Sequence, residues 1–146
     1  MPPQSIRYVA PLGRLLLSLI FILSAVGKFN DWQGTAKMLA DRGLPAADAL
    51  LSVAVVLEIA GGVSVLVGLF ARVGALFLLA FLIPATLIMH DFWAHEGDQW
   101  MGEMINFMKN VSITGGVLLV LAFGAGPCSI DNLVAPRPKP KSAVPS

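Results

Sequence analysis

Only one cysteine, Cys128, occurs in the 146 residues. An intrachain disulfide and a Cys-x-x-Cys redox pair are therefore excluded, and a self-contained thiol–disulfide enzyme with them. Charge is scarce too: Asp, Glu, Lys and Arg make up 13% of the chain, against about 25% in a soluble domain. A net charge of +1 leaves no electrostatic footprint for nucleic acid as a partner. Alternation of apolar and polar residues is missing, which argues against a porin-type barrel. No nucleophile–base–acid set for hydrolysis is visible. Gly124-Ala-Gly126 has no nucleotide fingerprint around it. Internal repeats are lacking, and the length allows a single domain.

What is plentiful is apolar sequence, with 56% hydrophobic residues and a mean hydropathy of +0.77. Four apolar segments stand out at about residues 9–29, 46–70, 73–89 and 110–127. Their lengths scatter around the roughly 20 residues that cross the hydrocarbon core. Backbone in lipid must satisfy its own hydrogen bonds, so each segment is expected to be a helix. The expected fold is all-α: an integral membrane four-helix bundle over residues 1–131, then a Pro/Lys-rich tail over 132–146. The run Pro136-Arg-Pro-Lys-Pro-Lys suits an extended, solvated chain. The first segment imitates a signal peptide, with Arg7 and Arg14 before an apolar run and small residues near Gly27. Three further spans, and Lys28 as part of a polar interior, favour an uncleaved helix.

Four spans put both termini on one side. That side carries Arg7, Arg14, Arg72, Arg137, Lys139 and Lys141 against the single acid Asp131. The other has Lys28, Lys37, Arg42 and Lys109 with seven acids, and all three tryptophans, Trp32, Trp93 and Trp100. The Lys/Arg bias points to cytoplasmic termini in a bacterial inner membrane. Two stretches on the outer side read as amphipathic interfacial segments. Residues 35–42 suggest a short helix stopped by Gly43, with Pro45 in the first turn of the second span. Residues 99–109 run into the fourth helix. The second and third spans are joined by a tight turn expected at Ala71 and Arg72, which makes them antiparallel neighbours.

Glu58 is the only charge between Ala49 and Phe70. An ionisable group at that depth costs roughly 2.5–3.5 kcal/mol on insertion scales, so it is expected to face protein and a partner. Ala54, Gly61 and Gly62 share its stripe, and small residues there let another helix approach closely. Arg14, Ser18, Phe21, Ala25 and Lys28 form a matching stripe on the first helix. Arg14 and Lys28 either join the polar interior or merely snorkel to the two interfaces. Likewise, Glu58 is either a functional acid or an ion-pair member that fixes helix register. On the fourth helix Asn106, Asn110 and Thr114 repeat every four residues with Lys109 alongside, and Thr86 and His90 do so on the third, after Pro84. The outer half thus gathers a candidate binding set: Lys28, Glu58, His90, Asn106, Lys109 and Asn110. Such groups suit an anion, a quinone head group or a partner's carboxylate. His90 and His95 with nearby acids fit no metal motif, so no metal is assigned.

The ordered pattern resembles a known family. Gly13-Arg14 opens the first helix and Gly27-Lys28 closes it, followed by Arg42-Gly43-Leu-Pro45 and Glu58-Ile-Ala-Gly61-Gly62. Gly68-Leu-Phe-Ala-Arg72, His90, Gly115-Gly116 and Gly124-Ala-Gly-Pro-Cys-Ser129-Ile-Asp131 complete it. Over about residues 13–131 this looks like the DoxX family of small bacterial membrane proteins, whose polar pattern is matched at Arg14, Lys28, Glu58, Arg72, His90 and Asp131. The family is similar to the DoxD subunit of an archaeal thiosulfate:quinone oxidoreductase. Some members are linked to membrane redox complexes. The resemblance implies a redox-associated accessory subunit with a quinone as cofactor or ligand, working with soluble or membrane redox partner proteins. The fold also looks like the four-helix core of vitamin K epoxide reductase and DsbB-type enzymes, without their cysteine pairs. Two other expectations compete: a scaffold that recruits soluble enzymes through the basic tail, and a small transporter, which four helices could form only as a homo-oligomer.

Overall fold

The computed structural model describes residues 7–134. The run from Pro136 to Lys141, with its three basic residues, lies outside the described residues. The chain runs α1 (Val9–Asn30), α2 (Trp32–Asp41), α3 (Ala47–Val67), α4 (Ala71–Met89), a 3-10 turn (Phe92–Ala94), α5 (Gly97–Phe123) and α6 (Ile130–Val134). No strand occurs among the described residues. Helices α1, α3, α4 and α5 are long and apolar enough to cross a membrane. At 1.5 Å per residue, the 21 residues of α3 make about 32 Å, close to the hydrocarbon thickness. The protein is an integral membrane four-helix bundle.

Each boundary has a local cause. Asp31 ends α1 and caps α2, its carboxylate accepting from the Gly34 N–H at 3.2 Å. Helix α3 stops at Val67, short of the expected residue 70, because Gly68 takes a left-handed φ of 68°. The turn therefore lies at Gly68–Phe70, and Ala71 and Arg72 already belong to α4. The amphipathic segment 99–109 is continuous with the last span, so α5 has 27 residues and rises well above the membrane core. Gly124, with φ 77°, ends it at Phe123.

Helix α3 packs most extensively on α4 and α1, and α4 on α5, while α1 and α5 touch only lightly. The close approach of α3 and α4 depends on Gly61, where a Cβ would meet the Gly74 carbonyl oxygen and the Leu78 side chain at 2.8 Å. Phe21, Val65, Leu78, Leu82 and Val117 form the shared core. Large apolar side chains such as Leu16, Val56, Leu76 and Leu119 point outward. In water that surface would drive aggregation, whereas lipid is its natural solvent.

At the end that carries the termini, polar side chains fasten the segment after α5. Arg14 is buried, so it does not snorkel to the interface; its guanidinium donates to the carbonyls of Ala125 and Cys128. Asp131 reaches back to the α3–α4 turn, its carboxylate accepting from the Phe70 N–H at 2.7 Å and the Ala71 N–H at 3.0 Å. A residue 60 positions along the chain thus supplies the N-terminal cap of α4. The Asp131 N–H donates to the Gly68 carbonyl at 2.8 Å, and Arg72 donates to the Ala122 carbonyl at 3.1 Å. Cys128 is exposed.

Candidate functional site

At the other end, α1, α3, α4 and α5 separate around a cavity of about 660 Å³, with α2 across it. Its walls are mostly aliphatic and aromatic, among them Ile20, Leu50, Leu57, Phe81 and Ile88. Polar groups occur at the floor and at the mouth.

The floor is built from two helices. Lys28 lies near the C-terminal end of α1, and side chains on a helix lean toward its N-terminus. Its long stem therefore turns inward along α1, and Nζ donates to Ser24 Oγ at 2.5 Å, one turn back. From there it reaches Glu58 Oε1 at 3.0 Å and lies 5.0 Å from the centre of the Phe81 ring. Glu58 stands at the middle of α3 with no solvent exposure, while the Lys28 side chain retains 22%. The buried member of the pair is the acid. Glu58 Oε2 is buried and has no hydrogen-bond partner among the described residues. Lys28 has three ammonium hydrogens, of which Ser24 and Glu58 take two.

The mouth is held by two further contacts. Arg42, just past α2, donates to the Ile88 carbonyl, left over at the end of α4, and pairs with Asp91 at 3.0 Å. His90 Nδ1 lies 2.8 Å from Glu103 Oε2, tying α4 to α5. His95 Nε2 is 3.4 Å from the same Asp91 carboxylate. Pro84 withholds the N–H that would otherwise reach the Ala80 carbonyl, and both residues line the cavity.

The predicted set divides. Lys28, Glu58, His90 and Asn110 line the cavity. Asn106 is half-buried on α5 and does not reach it, and Lys109 is exposed. Helix α5 presents Glu103, Asn110 and Val117 on one stripe at intervals of seven, and Lys109 stands about 100° away from Asn110. Sequence reasoning missed Ser24, Arg42 and Glu103 as cavity residues. The signals were there: Ser24 precedes Lys28 by one turn, and Glu103 precedes Asn110 by two.

Chemically the cavity offers a buried, unpartnered carboxylate oxygen beside an ammonium with a spare donor, under apolar walls. That arrangement suits a lipid-soluble molecule with a small polar head.

Residues 9–91 match the family model described as DoxX. Inner membrane protein YphA of Escherichia coli strain K12 is 33% identical over 121 residues, covering 83% of this chain and 86% of the relative. Inner membrane protein YqjF of the same organism is 33% identical over 122 residues, covering 84% and 88%. No solved structure matches the chain.

Proposed function

Because the chain belongs to the DoxX family, we propose that it is a redox-associated accessory subunit of the inner membrane that binds a quinone-type molecule in the cavity above Glu58. The observation that carries this reading is Glu58, which lines an apolar cavity beside the spare N–H of Lys28 and whose Oε2 is buried without a partner among the described residues. A buried acceptor without a partner costs about 1–3 kcal/mol, and a ligand's hydroxyl would remove that cost. The isoprenoid or alkyl tail would lie along the aliphatic walls and leave between helices into the bilayer. Electrons would come from a partner protein, because a sequence with a single cysteine supplies no redox centre of its own. The resemblance to a thiosulfate:quinone oxidoreductase subunit supports the same assignment.

Gentle transfer of the protein from its own membranes into nanodiscs, followed by solvent extraction, tests the reading. About one quinone-class molecule per chain is the expected yield. Ala54→Phe, which fills the cavity wall, should abolish the retention while the variant still melts cooperatively. Phospholipid alone in the extract, or retention undisturbed by the filled cavity, would remove the proposal. A soluble enzyme that co-purifies in place of the quinone would favour a scaffold.

The termini and the Arg14–Asp131 end are assigned to the cytoplasm on the Lys/Arg bias of that side, and the cavity then opens in the outer leaflet. Cys128 is exposed at the terminal end. A membrane-impermeant maleimide is therefore expected to leave it unlabelled in intact spheroplasts and to label it after lysis. Labelling before lysis would reverse the orientation.

A further inference from the structure

Resting on the quinone-type reading of the cavity, we infer that the site selects the reduced, hydroxyl-bearing form of the head group over the oxidised form, and that Glu58 sets this preference. An ionised carboxylate only accepts hydrogen bonds, and the ammonium of Lys28 lies 3.0 Å from Oε1. The free oxygen, Oε2, is buried without a partner, and Glu58 lines the cavity. A quinone carbonyl brought there would set its lone pairs against those of Oε2 and leave the acceptor unsatisfied. A quinol turns its O–H toward Oε2, and the lone pairs of that same oxygen can take the third hydrogen of Lys28. The ammonium alone would accept either form, since it needs only an acceptor. Discrimination therefore comes from the acid.

Three probes with the same decyl tail separate the alternatives: a benzoquinol kept reduced under anaerobic conditions, its benzoquinone, and the dimethyl ether of the quinol. The ether retains the acceptor oxygens, lacks the hydrogens and does no redox chemistry. In protein-loaded nanodiscs compared with empty ones, the quinol should be retained about tenfold more tightly than either other probe, the size of one hydrogen bond to a charged group. Glu58→Gln presents an amide that both donates and accepts, so the ratio should collapse toward one while overall retention persists. Equal retention of quinol and ether by the unaltered protein overturns the inference and leaves the quinone site standing. So does a ratio unchanged in Glu58→Gln. Retention of none of the three above empty discs overturns the site and the selectivity together.

Discussion

Lys28→Met lowers the stability of the protein by about 3 kcal/mol or more, the usual cost of removing one partner of a buried ion pair. Adding Glu58→Leu to that variant restores most of the loss. The single change strands a carboxylate that has no solvent exposure, with Ser24 of α1 left as a polar neighbour at the floor of the cavity. The double change replaces both charges by apolar groups, which in buried pairs is often neutral or better. Glu58→Gln behaves differently. The Lys28 side chain keeps 22% exposure near the end of α1, so an unpaired ammonium can swing outward to the interface. Its cost should be nearer one hydrogen bond, about 1–2 kcal/mol. Melting temperatures in a single detergent decide the order: Lys28→Met lowest, Glu58→Gln intermediate, the double variant near the parent. A Glu58→Gln protein less stable than Lys28→Met would show that the acid, and not the lysine, is the member that can escape.

Arg14→Ala has an effect of similar size at the other end. The guanidinium is buried and carries two hydrogen bonds from a charged donor to the Ala125 and Cys128 carbonyls. Bonds of that kind contribute about 1.5–3 kcal/mol each, so the loss amounts to about 3–5 kcal/mol after relaxation. The failure should be local before it is global. Freed from Arg14, the segment after Phe123 would lift, and Asp131 would leave the Phe70 and Ala71 N–H groups that it caps. Hydrogen exchange should rise first in residues 124–134 and at the start of α4, with α1 and α3 protected. Arg14→Lys keeps the charge but cannot present two N–H groups in a fixed fork to separate carbonyls, and it should recover less than half of the loss. Uniform exchange across all helices in Arg14→Ala would count against a local clasp.

The polar stripes were legible because helical periodicity is a strong signal over twenty residues. Arg14, Ser18, Phe21 and Ala25 are the residues that α1 buries, and Glu58, Gly61 and Gly62 are among those that α3 buries, both as expected from the 3.6-residue repeat. What a stripe cannot tell is which residue on it ends at a carbonyl, which at a carboxylate and which in open lipid. Arg14 and Lys28 share a face, yet the first binds backbone and the second an acid. Only the placement of α3 and of the segment after α5 separates those roles. Lys109 was grouped with Asn106 and Asn110 by nearness in sequence, and one step of 100° around α5 was enough to put it outside. Asp131 was legible as a polar position. Its job as cap for a helix sixty residues earlier was not, because local capping rules look only one turn away.

That remote cap bears on how the protein is made. Helices α3 and α4 are joined by a three-residue turn, Gly68–Phe70, and pack closely, so they can pair as a hairpin as soon as both have been synthesised. The hairpin then enters the bilayer with the first N–H groups of α4 still bare. They stay bare until α5 has been threaded across and the chain has reached residue 131. The ribosome therefore delivers this contact only after all four spans, and a nascent chain that stalls before it leaves a membrane-embedded intermediate with one raw helix end on its surface.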